Sequence, residues 1–187
     1  MNITQLDIAG AWHIKGNRFA DDRGFFQEWF KSSALAASTG VSFHPVQANI
    51  SRSSAGVIRG IHYSIAPSGR GKLVTVMSGS IDDYVIDIRP GSPTFGQWRR
   101  VHLGSTNGDA LLIDPHLGHA FQALEDDTIV SYLVSAEFNP EMEKGITPFC
   151  DQLKVQWNTK TPYIVSDKDR LAPNMSQRLS EGFLPDS

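Results

Sequence analysis

Cysteine is almost absent from this sequence, since Cys150 is the only one in 187 residues. A single thiol cannot form a disulfide within the chain, and a zinc site built on cysteines needs more than one of them. The composition therefore excludes a disulfide scaffold and a cysteine-based metal centre. It favours a reducing, cytoplasmic setting.

Charge of one sign and long apolar runs are lacking as well. The formal net charge is −3 at pH 7, so no electrostatic reason exists to expect nucleic acid or an anionic membrane as the main partner. No apolar run approaches the ~18 residues of a membrane span. The first four residues show neither the basic nor the apolar stretch of a signal peptide. We expect a cytoplasmic protein that binds neither nucleic acid nor membranes.

Internal repeats, low-complexity tracts and Gly/Ser linkers are also absent. The length is ordinary for one domain, and a hydrophobic content of 40% is sufficient for a packed core. We therefore predict a single domain over residues 1–187.

Short strand signals recur along most of the chain, separated by clusters of Gly, Pro, Asn and Ser. The predicted strands span residues 56–64, 72–78, 80–89, 98–103, 110–113, 120–124 and 128–135. Helix signals are confined to residues 32–38, ended by Gly40, and to a segment that begins near Ser166. Strands at this spacing predict an all-β sandwich or barrel with short peripheral helices.

His62 is the first candidate catalytic residue, within the strand-like run VIRGIHY at residues 57–63. An imidazole changes charge near neutral pH, so one that faces a barrel lumen is suited to general-base chemistry. The alternative is a core histidine with a satisfied hydrogen bond. Strict alternation places Arg59 on the opposite face. Arg59 and His62 can share one site only if Gly60 relaxes the pleat, for example as a β-bulge.

Lys72 and Tyr132 are further candidates with structural alternatives. Lys72 opens a strand after a flexible turn, where a lysine is either a solvated charge or, if it points inward, a stabiliser of an enolate oxygen. Tyr132 lies mid-strand between Val130 and Val134. Its phenol either packs with a satisfied hydroxyl or donates a proton, and the spacing alone leaves both alternatives open.

His116 and His119 raise the question of a metal ion. Metal-binding barrels of this kind commonly use His-x-His followed closely by Glu, but Ser64 stands two residues after His62. No third ligand is obvious in the sequence near His116 and His119. We therefore predict no metal and no cofactor.

Two charged segments also keep two interpretations each. Asp169 follows Ser166 by three residues, which fits either a helix cap or a carboxylate that orients a histidine. Arg23 lies in the segment DRGFFQE at residues 22–28. It either binds a phosphate through two hydrogen bonds or pairs with a surface carboxylate such as Glu28.

Taken in order, these segments resemble the dTDP-4-dehydrorhamnose 3,5-epimerase family. The matching stretches are DRGFF-x-E at 22–28, Q-x-N-x-S at 47–51, GVIRGIHY at 56–63, GKLV at 71–74, DIR-x-x-SPTFG-x-W at 87–98, H-x-F at 119–121, Tyr132 and S-x-KD at 166–169. No single stretch is decisive, but the ordered set is highly specific.

The resemblance implies a fold and a role for each residue. The family's barrel is a double-stranded β-helix, a cupin-like jelly roll that is metal-free and usually a homodimer. His62 would remove the proton α to the C4 ketone of the sugar, with Asp169 as its partner. Tyr132 would be the acid on the opposite face of the sugar, and Lys72 would steady the enolate oxygen. The implied substrate-binding residues are Gln47, Asn49, Arg59, His119 and Lys168, with Arg23, Phe25 and Glu28 expected at the nucleotide, either within the chain or across a dimer interface.

The sequence departs from the family pattern at several positions. His116 stands where glycine is usual, Ser64 replaces a common glutamine, and Phe138 or Glu137 falls where a tyrosine is common. These changes alter the expected pocket wall and leave the proton-transfer residues intact. The resemblance therefore implies an epimerase of a dTDP-4-keto-6-deoxyhexose that inverts C3, C5 or both, an epimerase of one carbon being the alternative. A keto-sugar isomerase, a non-catalytic sugar-nucleotide-binding barrel and a metal-dependent oxygenase agree less well with the full residue set.

Overall fold

Short strands form most of the regular structure in the computed structural model, which describes residues 2–185. The strands are β1 (Asn2–Gln5), β2 (Ala11–Lys15), β3 (Arg18–Asp21), β4 (Gly24–Gln27), β5 (Gln47–Ser53), β6 (Val57–Ser64), β7 (Lys72–Ser78), β8 (Ser80–Ile86), β9 (Trp98–Gly104), β10 (Ala110–Ile113), β11 (Gly118–Ala123), β12 (Thr128–Val134), β13 (Glu143–Gly145) and β14 (Ile164–Val165). The helices are α1 (Ser32–Thr39), α2 (Asp167–Arg170) and α3 (Met175–Ser180). The single domain over 1–187 stays a prediction, and its ends at residues 1, 186 and 187 lie outside the described residues.

Two sheets face each other around one lumen. The first has the strand order β1-β2-β10-β7-β12-β5, and the second has the order β13-β6-β11-β8-β9, with β14 added alongside β6. Strands β3 and β4 form a separate hairpin. Neighbouring strands within the sheets run antiparallel, except that β14 runs parallel to β6. This arrangement confirms the prediction of an all-β, jelly-roll barrel with short peripheral helices.

The core lies between the two sheets, and the outer faces are covered as well. Val74 and Val130 from the first sheet meet Val85 from the second in one buried cluster. Leu35 of α1 covers the outside of the first sheet, and Trp157 covers the outside of the second. Because both faces of the central strands are buried, those strands are almost continuously apolar in sequence. Each fully buried Val or Leu side chain contributes roughly 1.5–3 kcal/mol.

The motif at residues 87–98 builds a loop around one carboxylate. Asp87 is fully buried and accepts hydrogen bonds from Arg89 Nη2 at 2.8 Å, Ser92 Oγ at 2.5 Å and Thr94 Oγ1 at 2.6 Å. Burial alone raises the pKa of the Asp87 carboxyl, but these hydrogen bonds outweigh burial and lower the pKa to about 2. The ionised carboxylate therefore organises the loop between β8 and β9, and residues 87–98 do not line the cavity between the sheets.

All the strands predicted from sequence occur, with their ends moved by at most three residues. Both predicted helices occur too, α1 ending at Gly40 in the left-handed conformation and α2 capped by Ser166. The sequence patterns missed β1 to β5, β13, β14 and α3, which are short or largely exposed. No helix within residues 2–185 has the length and apolar character needed to cross a membrane.

Candidate active site

A cavity of about 720 Å³ opens between the two sheets. The residues predicted from sequence that line it are Gln47, Asn49, Arg59, His62, Lys72, His119, Tyr132, Lys168 and Asp169. Sequence reasoning gave no site role to several other lining residues, chiefly Arg70, Phe121, Phe138, Glu143, Lys144 and Arg178. The lumen therefore gathers side chains that lie more than a hundred residues apart in the chain.

The register of three strands places the polar side chains of the first sheet. Tyr132 of β12 pairs with Asn49 of β5. Two residues along β12, Val134 pairs with Gln47 of β5 on one side and with Lys72 of β7 on the other. Because side chains alternate between the faces of a strand, these residues share the inner face of the sheet. Tyr132 also packs against the core cluster between the sheets, so its ring is held from the inside of the barrel.

His62 enters the cavity from β6 of the second sheet and is bonded to Asp169 of α2. The distance from His62 Nε2 to Asp169 Oδ1 is 2.7 Å, and Asp169 Oδ2 accepts a longer bond of 3.4 Å from the Gly60 amide. Burial is the largest single effect and raises the pKa of the Asp169 carboxyl, but the hydrogen bonds from His62, the Gly60 amide and Ser166, together with the charge of His62, outweigh it and leave this pKa below its usual value. An ionised Asp169 accepts a hydrogen bond from Nε2–H, so the other ring nitrogen of a neutral His62 can take up a proton.

Both interpretations of the segment at 166–169 therefore hold in the same structure. Ser166 caps α2 by accepting a hydrogen bond from the Asp169 backbone N–H at 3.2 Å. The cap fixes the first turn of the helix, and the carboxylate of Asp169 is then free to reach His62.

A β-bulge at Gly60 brings Arg59 and His62 into the same cavity. Along β11, His119 pairs with His62 and Phe121 pairs with Arg59, so two steps on β11 match three steps on β6. Gly60 has a φ of +124°, and a Cβ there would lie 2.5 Å from the Ala120 Cβ. Only glycine fits this backbone and this space, and the extra residue turns Arg59 to the side that His62 faces.

His119 forms a second histidine–aspartate pair, with a partner that sequence reasoning missed. His119 Nε2 lies 2.5 Å from Oδ1 of Asp83, which is completely buried on β8. Burial lowers the pKa of the His119 imidazole, and the nearby Asp83 opposes this without cancelling it. Asp83 sits in the apolar run of β8, where the sequence SIDDYVI offers one signal: a charged residue on the parity of Ile81 and Val85.

Lys72 is buried in the wall of the cavity rather than solvated at a strand end. Its exposed fraction is 8%, and burial lowers the pKa of its ammonium group to about 8. Arg70 contributes in the same direction, whereas Glu143 and Asp83 favour the charged form. Near neutral pH the ammonium therefore remains mostly protonated, as a cation in a region of low polarity.

Arg70 and Glu143 form an ion pair beside Lys72, with Nη1 and Oε1 separated by 3.5 Å. Arg70 Nη2 also donates to Gln47 Oε1 at 3.3 Å, and its guanidinium lies 5.7 Å from the ring centre of Phe138. Buried arginine of this kind is normally paired. Arg70 was not predicted as a site residue, because it lies in a Gly-rich turn that resembles a mobile loop.

Cations outnumber anions on the cavity wall. The lining cations are Arg59, Arg70, Lys72, Lys144, Lys168 and Arg178, against the carboxylates of Glu143 and Asp169. Such an excess favours an anionic ligand, although the net charge of the whole chain is slightly negative. Across residues 2–185, no three side chains of His, Cys, Asp or Glu group together as metal ligands.

Arg23, Phe25 and Glu28 do not line the cavity within this chain. They lie on or next to the β3–β4 hairpin, where Phe25 is 59% exposed. Arg23 pairs with Asp21 at 2.5 Å, and Glu28 lies 3.6 Å from Lys31. The surface pairing considered for Arg23 is therefore present, with Asp21 rather than Glu28 as its partner.

The fold and the cavity define a class of protein. A histidine from one sheet, paired with a carboxylate from a short helix, shares the lumen of a cupin-like barrel with a phenol from the other sheet, as in enzymes that move protons on a bound substrate. A family model described as dTDP-4-dehydrorhamnose 3,5-epimerase matches residues 5–177.

Individual proteins agree with that match. A dTDP-4-dehydrorhamnose 3,5-epimerase of Mycolicibacterium smegmatis is 40% identical over 99% of this chain and 91% of its own length. The rmlC epimerase of Mycobacterium tuberculosis superposes with a TM-score of 0.96 at 40% identity, covering 100% of this chain and 94% of that one. The 3'-monoepimerase ChmJ of Streptomyces bikiniensis, solved with dTDP-quinovose, gives a TM-score of 0.93 at 34% identity, covering 97% and 91%. The chain belongs to the dTDP-4-dehydrorhamnose 3,5-epimerase family.

The bulge can be tested with Gly60→Ala. We expect this variant to lose about 2 kcal/mol or more of unfolding free energy, because the new methyl group meets Ala120 and the backbone is left-handed. Gly91→Ala is the matched control, since its φ of +87° is also left-handed but nothing lies within 4 Å of the added Cβ. Denaturant unfolding measures both variants, and equal losses would contradict a steric role for Gly60.

Proposed function

We propose that this protein is an epimerase of a dTDP-4-keto-6-deoxyhexose, inverting C3, C5 or both in deoxysugar biosynthesis. The observation that carries the proposal is the placement of His62 and Tyr132 on opposite sheets of one cavity. Removal of a proton from one face of a sugar and its return from the other inverts the carbon, and that sequence needs a base and an acid on opposite walls.

His62 is the proposed base. Its bond to Asp169 fixes the ring orientation and stabilises the imidazolium that forms when the proton leaves the carbon next to the C4 ketone. The 2.7 Å distance indicates a well-formed hydrogen bond. Asp169 therefore acts through His62 and does not itself need to touch the sugar.

Tyr132 is the proposed acid. Its hydroxyl would give a proton to the carbanion carbon from the side of the first sheet, so the product has the opposite configuration. In this step the old C–H bond and the phenol O–H bond break, while an N–H bond on His62 and a new C–H bond form. The imidazolium then releases its proton to solvent and the phenolate takes one up from solvent, which restores both groups. No electron is gained or lost, so the proposed reaction needs no redox partner.

The enolate oxygen is the point where charge develops in this mechanism. Lys72 is the proposed stabiliser, because a buried ammonium acts on a nearby oxyanion far more strongly than one in water. His119 is held by Asp83 and lies beside His62 on the neighbouring strand. It would donate a hydrogen bond to the substrate, or contact it, on the side of the sugar that His62 faces. Before substrate enters, His119 is held by its bond to Asp83 and Lys72 is buried in the cavity wall, so little reorganisation is required during the reaction.

Two of the remaining cations fit the diphosphate of a nucleotide sugar. Arg59 and Lys168 are proposed to bind the phosphate oxygens, since both line the cavity from exposed positions. Gln47 and Asn49, already bonded to each other at 2.7 Å, present a fixed pair of polar groups to the substrate. The bound dTDP-quinovose of ChmJ supports a ligand of this chemical class.

Solvent exchange tests the proposal. The protein is incubated in D₂O with dTDP-4-keto-6-deoxyglucose, and deuterium at C3 and C5 is followed by NMR. We expect label at one or both carbons, and His62→Ala should lower the exchange rate by about 10²–10⁴-fold. Tyr132→Phe should still exchange deuterium through His62 but should lose net inversion. His44→Ala, an exposed histidine bonded to Ser42 outside the cavity, is the matched control.

The pattern of label also distinguishes the two epimerase types. Label at both carbons supports a 3,5-epimerase, and label at one carbon supports a monoepimerase of the kind that ChmJ represents. No label in a folded wild-type protein would contradict the proposal. Migration of the ketone from C4 would instead support the isomerase alternative.

The pH dependence tests Lys72. Burial lowers its pKa to about 8, so the stabilising charge is present below that pH and is lost as the pH rises through it. We expect kcat/KM to fall above about pH 8 in the wild type. Lys72→Arg keeps a permanent charge and should remove this alkaline fall at a lower maximal rate. If kcat/KM of Lys72→Arg still falls above about pH 8, another group is responsible for the fall.

The same proposal includes a homodimer, supported by the β3–β4 hairpin. Phe19 and Phe26 pair across the hairpin and are 64% and 67% exposed. Two adjacent aromatic rings exposed to this extent are typical of an interface. If a second copy covers this hairpin, Arg23, Phe25 and Glu28 can reach the partner's cavity, which would explain their absence from the cavity wall of their own chain.

Sedimentation velocity tests the dimer. We expect the wild type to sediment as a dimer and Phe26→Ser to shift the protein toward monomer, because the exposed apolar area is lost. Phe149→Ser removes a phenylalanine that is 42% exposed outside the hairpin and should not change the state. A monomeric wild type at micromolar concentration would contradict the dimer proposal.

A further inference from the structure

The C-terminal helix α3 adds a partly buried guanidinium to the cavity wall. Arg178 lies one residue beyond the segment matched by the family model, and its side chain is 15% exposed. Its Nε donates to the Gly145 carbonyl oxygen at 2.9 Å, and its Nη1 lies 3.0 Å from Glu181 Oε2. Because two of its three nitrogens are bonded to protein atoms, the guanidinium is held in one orientation.

The carbonyl group that Arg178 binds belongs to Gly145, which is the backbone neighbour of His62 on the adjacent strand. Strand β13 pairs with β6 so that Gly145 lies opposite His62. A Cβ at Gly145 would be 3.9 Å from His62 Cδ2, so the backbone there is in close reach of the imidazole. The next residue, Ile146, exchanges both backbone hydrogen bonds with Ile61, at 3.0 and 3.1 Å.

Strand β13 has little stability of its own. It contains three residues and lies at the edge of the second sheet, and β6 is its one neighbouring strand among residues 2–185. Short edge strands depend on tertiary contacts, because few ladder bonds hold them. On its open side, the Gly145 carbonyl has Arg178 as its partner where a further strand would otherwise supply an N–H.

We propose that Arg178 is a positioning residue for the epimerase reaction: by binding the Gly145 carbonyl it holds β13 against β6 and keeps His62 aligned with Asp169 and the substrate. This inference rests on the proposed function of the cavity. Arg178 acts here through the strand and not through the diphosphate, because its Nε and Nη1 are already engaged. Small displacements of a catalytic group are costly, since proton transfer depends on a narrow range of distances.

Steady-state kinetics of Arg178→Ala and Arg178→Lys test the proposal. We expect Arg178→Ala to lower kcat by about 10-fold to 100-fold, while KM and the affinity for dTDP stay within about threefold of the wild type. Arg178→Lys keeps one donor for the Gly145 carbonyl and should recover most of kcat. Arg170→Ala is the matched control: Arg170 is exposed, binds Asp167 on α2 and does not line the cavity, so its removal should leave both parameters unchanged.

Other outcomes would overturn the positioning role. A raised KM and weaker dTDP binding with kcat unchanged would make Arg178 a substrate-binding residue. Unchanged kinetics in Arg178→Ala, or equal losses in Arg178→Lys and Arg178→Ala, would also overturn it. If Arg178→Ala does not fold, the comparison of Arg178→Lys with Arg178→Gln decides between the same outcomes.

Amide hydrogen exchange separates this inference from the proposed function. Faster exchange at the Ile61 and Ile146 amides in Arg178→Ala, but not in Arg170→Ala, supports the proposal that Arg178 holds β13 against β6. This result does not depend on which substrate the cavity binds. Equal exchange in the two variants overturns it. An inactive wild type with this exchange pattern would contradict the epimerase proposal. It would still support the role of Arg178 in holding β13 against β6.

Discussion

The site depends on the bulge in β6 at Gly60. An unbroken strand would direct Arg59 and His62 to opposite faces, and one of them would leave the cavity. The extra residue restores both to the lumen, and the Gly60 amide also contacts the carboxylate of Asp169. One backbone irregularity therefore sets the direction of a cation, the orientation of the base and the position of its partner. Because β11 approaches closely at Ala120, no residue larger than glycine fits at position 60.

Buried charge is the second constraint on this barrel. Lys72, His119 and Asp83 lie close together between the two sheets, next to the apolar core cluster that both sheets share. Burial shifts the pKa of each cation downward, and the opposing carboxylates limit the shift. Groups that are held in place and partly desolvated in this way respond strongly to charge that develops on a ligand. The rest of the barrel is densely packed, and its stability compensates for keeping these polar groups inside.

The C-terminal segment links stability to the site. Asp169 on α2 and Arg178 on α3 approach β6 from the same side, one through the imidazole of His62 and the other through the strand behind it. Neither residue belongs to the barrel strands. The barrel thus supplies the lumen, and the chain that follows it completes the environment of the candidate base.

Most of the strands that were predicted have both faces buried, and apolar runs bounded by turn residues identify them; β9, in which Arg100 and His102 are exposed, is an exception. Strand β5 was missed as a strand for the opposite reason: its inward residues Gln47, Asn49 and Ser51 are polar, since they line the cavity. Arg70 and Glu143 were missed because charged residues in a turn or a short edge strand usually face solvent. Asp83 was missed because nothing near it in the sequence predicts its partner His119, which lies on another strand.

The sequence by itself determined the all-β class, the short helices and, through an ordered set of motifs, the family and the main candidates His62, Lys72, Tyr132 and Asp169. These features are local or depend on residue order, and both are readable without coordinates. Only the tertiary structure decided which candidates share one cavity, that Arg59 joins them through a bulge, and that Arg23, Phe25 and Glu28 lie outside it. Strand register and burial are set by packing between segments distant in the chain, so the direction and charge of each side chain follow from the fold as a whole.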